Sequence, residues 1–148
     1  VELSAPIGSA EKIANFYREI MAATTIVGMR NGSHCASITT GISQFIHFIE
    51  TDKPQPDYDG HHVAIYIADF VGPYKKLIEH NLISRESDDY EWRFIDIIDL
   101  ETKAVIFKIE HEVRSATHPL YARPLINRNP AQSNRDYRRG QDSFLGEI

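Results

Sequence analysis

The chain has 148 residues, a length that fits one domain with a buried core. Hydrophobic residues make up 42% and charged residues 25% of the chain, which excludes a disordered protein. The net charge of −5 argues against a nucleic-acid-binding protein, because such proteins present a basic face. No apolar run reaches the roughly 18 residues of a membrane span, and no signal-peptide pattern is present. With Cys35 as the single cysteine, no intrachain disulfide can form, so we expect a cytoplasmic protein.

The first half of the chain predicts four strands and one helix. A short apolar segment at residues 1–6 is the first strand. Apolar residues at helical spacing over residues 10–21 predict a one-sided helix, with Ser9 as its N-cap. Three more strands are predicted at residues 24–29, 34–40 and 44–50. The Asn31-Gly32 dipeptide predicts a tight hairpin between the first two of these.

The same order of elements begins again after a polar, proline-containing linker. A strand at residues 61–68 precedes a helix over residues 69–81, which Asp69 can cap. Three strand candidates follow, around Ile83 and at residues 92–98 and 104–113. The order is therefore βαβββ twice, which predicts an α+β fold built from two repeats. We predict one domain composed of half-repeat 1–52, linker 53–60, half-repeat 61–113 and a C-terminal extension at 114–148.

The duplicated order, the Phe16-Tyr17 pair on the first helix and the segment His62–Asp69 together resemble the vicinal oxygen chelate superfamily. This superfamily includes glyoxalases, bleomycin-resistance proteins and extradiol dioxygenases. The resemblance covers residues 1–113. It implies that the two halves pair into a curved, barrel-like cup, that the partner is a small molecule and that the chain forms a homodimer. Enzymes of this superfamily hold a divalent metal ion in the cup for lyase, isomerase or dioxygenase chemistry on neighbouring oxygens.

The resemblance implies four metal-ligand positions. His62 matches the ligand that opens the second half, and strand alternation places it on the same face as Tyr66, away from the apolar face. Glu110 is the best carboxylate on the last strand, as a ligand and a catalytic residue. Lys108 lies closer to the usual position of that carboxylate and would repel a metal. The first half offers Glu50 and, in its opening strand, Glu2 or a residue before Val1. The expected set is Glu2, Glu50, His62 and Glu110.

The extension has two interpretations. In the first, Arg114 and His118 close over the mouth of the cup and, together with Tyr66, bind an anionic or carbonyl-bearing substrate. In the second, arginines pair with acidic residues such as Glu110 or Glu112, and the extension serves packing or dimerisation.

Other motifs, present or missing, limit the possible functions further. The acidic run Asp88, Asp89 and Glu91 matches no calcium loop and is expected to be solvated. A glycine-rich phosphate loop, a cysteine-based zinc spacing and a Gly-x-Ser-x-Gly elbow are all missing from the sequence, which excludes the commonest alternative enzymes. Three hypotheses remain: a glyoxalase-like metalloenzyme, a metal-free protein of the same fold that binds or sequesters a small molecule, and an interaction protein whose extension is the partner surface.

Overall fold

The computed structural model describes residues 1–121, and both halves contain the predicted elements. The elements of the first half are β1 (Glu2–Pro6), α1 (Ala10–Met21), β2 (Thr25–Arg30), β3 (Ser33–Gly41) and β4 (Gln44–Thr51). Those of the second half are β5 (His62–Ile67), α2 (Val71–Glu79), β6 (Ile83–Asp88), β7 (Glu91–Ile98) and β8 (Val105–Ser115). The predicted α+β fold with two βαβββ repeats is confirmed. Within these 121 residues, neither helix has the length and apolar character that crossing a membrane requires.

Each half forms one four-stranded sheet, and the two sheets share one topology. The strand orders are β1-β4-β3-β2 and β5-β8-β7-β6. The first and last strands of each half run parallel, and the remaining neighbours are antiparallel. Because the described strands form two separate sheets, they build an open cup and not a closed barrel.

The core lies around α1, which contacts the sheets of both halves. Its apolar stripe buries Ile13, Phe16, Tyr17 and Ile20, as the helical spacing predicts. The Tyr17 ring lies 5.7 Å from Phe48 of the first half, and the Phe16 ring lies 6.0 Å from Phe94 of the second. Each of these large side chains contributes about 2–3 kcal/mol by its burial. One helix therefore supplies much of the apolar contact that joins the two halves.

A buried hydrogen bond also joins the halves inside this core. The His111 Nδ1–H donates to the Ile109 carbonyl (2.9 Å), so Nε2 of the neutral ring accepts a hydrogen bond from the Tyr17 hydroxyl (2.6 Å). The His111 ring stacks on Phe94 with centroids 4.0 Å apart. Burial lowers the pKa of His111 from 6.5 to about 4 and raises the pKa of Tyr17. Both side chains therefore stay neutral across the physiological pH range.

The helix starts are capped by carboxylates. Ser9 occupies the predicted N-cap position of α1, but its hydroxyl donates to the Pro6 carbonyl (2.6 Å) and does not cap the helix. The Glu50 carboxylate accepts the backbone N–H of Ala10 instead, at 2.8 Å. At α2 the N-cap position is Phe70, one residue after the predicted Asp69, but the Asp69 carboxylate still accepts the first-turn N–H of Gly72 at 2.9 Å. A carboxylate also interacts favourably with the positive end of the helix dipole.

Candidate functional site

The cup face of the second half carries the polar residues that the sequence placed there. Strand registers pair His62 with Glu110 and Tyr66 with Arg114 across β5 and β8. Laterally paired residues share a face of a sheet, so these four side chains project to the same side. The opposite face packs against the helices. The predicted orientation of His62 and Glu110 thus agrees with the register.

Two arginines and three glutamates form a cluster on this face, here called the arginine–glutamate cluster: Arg93, Arg114, Glu91, Glu110 and Glu112. The Arg93 guanidinium lies 2.9 Å from Glu91, 2.9 Å from Glu110 and 2.7 Å from Glu112. Arg114 contacts Glu112 and lies 3.3 Å from Glu91. The Glu91 and Glu112 side chains are only 9% and 7% exposed. Charges this poorly solvated require partners, and each carboxylate of the cluster has a guanidinium.

Glu91 was predicted to be solvated, and that prediction is wrong. The residue is 7% exposed and sits at the start of β7, where the Ser87 hydroxyl also donates to it at 2.9 Å. Burial by itself raises the pKa of Glu91, but hydrogen bonds from Ser87 and Arg93 outweigh burial and lower it. Alternation along β7 was the available signal, since Glu91 and Arg93 are two residues apart and share a face.

The described start of the extension folds over Tyr66. The ring of His118 lies 6.1 Å from that of Tyr66, and Tyr121 lies 5.3 Å from it. Arg114 donates to the Tyr66 hydroxyl at 3.0 Å and lies over its ring. Burial, helped by the nearby Arg114 charge, lowers the pKa of His118. The structure thus brings Tyr66, Arg114 and His118 together, and Arg114 also makes the acidic contact of the clamp interpretation with Glu112.

The rest of the extension, residues 122–148, lies outside the described residues, and so does its predicted role in packing or dimerisation.

The two candidate ligands of the first half lie on opposite faces of its sheet. Glu2 is on the cup face, where it accepts two hydrogen bonds from Arg30, at 2.6 and 2.8 Å. These hydrogen bonds lower the pKa of Glu2. Glu50 pairs with Ala5 in register and lies on the core face, where it caps α1. Burial raises the pKa of Glu50, but backbone N–H groups at the helix start outweigh it and lower the pKa.

A cavity of about 850 Å³ opens between the two halves, under the linker. Half of the residues that line it are apolar and half are polar or charged: Glu2, Leu3, Ser4, Pro6, Thr51, Lys53, Pro54, Gln55, Pro56, Asp57, Tyr58, His61, Val105, Ile106, Phe107 and Lys108. Tyr66, Arg114 and His118 do not contribute to this lining. The Lys108 ammonium at its border lies 3.4 Å from the Asp96 carboxylate.

Comparisons with known proteins bear on the fold. No family model and no curated protein matches the sequence. The structure is similar to a glyoxalase family protein from Bacillus anthracis, with a TM-score of 0.54 and 20% identity over 77% of this chain and 89% of that one. It is also similar to the fosfomycin resistance protein FosX from Listeria monocytogenes, with a TM-score of 0.53 and 14% identity over 80% and 89% of the two chains. The chain has the vicinal oxygen chelate fold.

A second structure of FosX, complexed with Mn(II) and sulfate ion, has a TM-score of 0.52 and 14% identity over 79% of this chain and 89% of that one. The vicinal oxygen chelate fold thus raises the question of whether this chain's residues fit a metal. Three of the expected ligands have other partners: Glu2 is held by Arg30, Glu110 by Arg93, and Glu50 caps α1 from the opposite face. Among residues 1–121, no three His, Cys, Asp or Glu side chains converge as metal ligands. The expected set does not fit a divalent metal ion in this arrangement.

Proposed function

We propose that this protein binds a small organic molecule in the cavity between its two halves, without a metal ion in the cup. The cavity of about 850 Å³ carries this proposal. Its volume lies within the range of roughly 300–1,000 Å³ that is common for small-molecule sites. Its lining combines apolar side chains with polar groups, and such sites use the polar groups to orient a ligand.

The arginine–glutamate cluster favours binding without metal over metal-dependent catalysis. A guanidinium already neutralises the carboxylate of Glu110, which is the best candidate ligand of the last strand. That guanidinium belongs to Arg93, which also pairs with Glu91 and Glu112. Freeing the Glu110 carboxylate would therefore disturb the whole cluster. Breaking a poorly solvated ion pair costs about 3 kcal/mol or more. The free energy of metal binding would have to exceed that cost.

The alternative is a glyoxalase-like metalloenzyme acting on neighbouring oxygens. Two observations favour it: His62 and Glu110 are register partners on the cup face, and FosX with the same fold was crystallised with Mn(II). In this alternative His62 and Glu110 would hold the ion once Arg93 had moved away.

Binding in the cavity is tested with 8-anilinonaphthalene-1-sulfonate, an amphiphilic molecule that fluoresces in apolar surroundings. Ser4 lines the cavity, so Ser4→Phe fills part of it, whereas Ser33→Phe makes the same change on β3 outside the lining. We expect saturable binding to the unmodified protein and to Ser33→Phe, and roughly tenfold weaker binding to Ser4→Phe. Equal binding to both variants, or none to the unmodified protein, would refute the cavity as the site.

The metal question is decided by elemental analysis of protein purified without chelators. We expect less than one metal ion per chain and no change in the melting temperature when Mn(II) is added. One tightly bound ion per chain that is lost in His62→Ala would replace the binding proposal with the metalloenzyme.

We further propose a homodimer, on the strength of the resemblance alone. Light scattering on the eluting protein measures the mass against 16.9 kDa for one chain. Truncation after residue 121, which leaves β8 and Arg114 in place, then tests whether residues 122–148 hold the dimer together.

A further inference from the structure

The end of the linker holds a histidine ring in a fixed orientation at the cavity. The His61 Nδ1 lies 2.6 Å from the Asp59 carboxylate, and the His61 backbone N–H donates to the same oxygen at 3.0 Å. The Tyr58 ring packs against the imidazole, with centroids 5.2 Å apart. The His61 and Asp59 side chains are 40% and 78% exposed, so the pair adds little stability. Its effect is to orient the ring.

This orientation determines which nitrogen of His61 is available. A carboxylate accepts a hydrogen bond, so of the two neutral tautomers it selects the one that carries its proton on Nδ1. The Nε2 atom then has a lone pair and acts as a hydrogen-bond acceptor. His61 and Tyr58 both line the cavity, whereas Asp59 does not. Because Asp59 occupies the Nδ1 edge of the ring, the Nε2 edge is the one left for a ligand.

The apolar part of the lining suits a flat ring. Two aromatic side chains, Tyr58 and Phe107, border the space together with Pro6, Pro54 and Pro56, and the rest of the lining is mostly polar or charged. Aromatic rings pack well against such surfaces in stacked or edge-on arrangements. A ligand that also carries a hydroxyl group can donate to Nε2 of His61.

We propose that the cavity binds a small hydroxyl-bearing aromatic molecule of the phenol class, whose hydroxyl donates to His61 Nε2 while its ring packs against Tyr58 and Phe107. Asp59 is a positioning residue, because it holds the imidazole in the accepting form. This inference rests on the proposed function and names the class of ligand for the same cavity.

The test compares 4-methylphenol with 4-methylanisole, its methyl ether, which lacks the donor hydrogen. Both are titrated by calorimetry at about pH 8, where a phenol keeps its proton. The full-length protein should bind the phenol roughly five- to tenfold more tightly than the ether, the equivalent of one net hydrogen bond. His61→Phe keeps a ring of similar size but removes Nε2, so it should bind both molecules equally. His34→Phe, on β3 and away from the cavity lining, should keep the preference.

Asp59→Ala tests the positioning role of Asp59 independently, because it leaves Nε2 of His61 in place and removes only the orienting carboxylate. We expect it to reduce the preference for the phenol. Equal binding of the phenol and the ether to the unmodified protein would overturn the role of His61 and leave the cavity proposal intact. Binding of neither molecule, while 8-anilinonaphthalene-1-sulfonate still binds, would overturn the ligand class alone.

Discussion

The buried His111 makes the stability of this protein sensitive to acid. In the folded protein its pKa is lowered from 6.5 to about 4 by burial against Tyr17 and Phe94. Between these pH values the His111 side chain is protonated in the unfolded chain and neutral in the folded protein. The contribution of the neutral, buried ring to the free energy of unfolding is therefore fully present above pH 6.5 and is lost as the pH falls toward 4. At about 1.4 kcal/mol per pH unit, the loss amounts to about 3 kcal/mol. Urea unfolding between pH 7 and 4 measures it.

A comparison of variants isolates this histidine from the other titrating groups. His111→Gln removes the titrating ring and should flatten the dependence of unfolding free energy on pH by about 3 kcal/mol across this range. Tyr17→Phe keeps the buried ring and should retain the slope even though it lowers stability. His34→Gln, on the exposed part of β3, serves as the control. The reasoning fails if His111→Gln and the unmodified protein show the same slope, or if the His111 ring titrates near 6.5 by NMR.

Three further predictions concern packing and charge, each measured as a change in unfolding free energy. Arg93→Gln should cost about 3 kcal/mol at neutral pH and less in acid, because three glutamates lose their shared partner; an unchanged stability would show that the cluster is well solvated. Glu50→Ala should cost about 1 kcal/mol through loss of the α1 cap. Glu11→Ala, which removes a carboxylate from the first turn of α1 itself, should cost less. Phe48→Ala, in the core, should cost about 3–5 kcal/mol against much less for Phe45→Ala, which is 38% exposed; similar costs would contradict the assigned faces of β4.

The elements of the fold were predictable because their signals are local. The apolar spacing of residues 10–21 matches α1, since a helix that packs on one side must repeat its apolar face every turn. Asn31 and Gly32 both have positive φ, at 52° and 83°, which is the turn geometry that this dipeptide favours. Alternation along the last strand also separated its charged face from its apolar face correctly.

The partners of the charged groups were not predictable from such local signals. Glu50 shares its face with Phe48, which is fully buried, and this alternation already pointed to the core and away from the cup. That Glu50 would cap a helix 40 residues earlier in the chain depends on where α1 lies in three dimensions. Likewise, Arg93 meets Glu110 and Glu112 only through the pairing of β7 with β8. A strand pattern gives the face of a residue, but not which residue lies opposite it.

The position of α1 between the halves has a consequence for how the chain folds. Its side chains complete the core of the second half, and Tyr17 bonds His111 across 94 residues of sequence. A separate fragment of residues 61–121 would therefore expose the apolar surface around Phe94, and a fragment of residues 1–52 would expose the matching surface of α1. Contacts between residues so distant in sequence form late in folding, because a long loop must close before they are made. The halves repeat one another in topology, yet we expect them to unfold in a single cooperative transition.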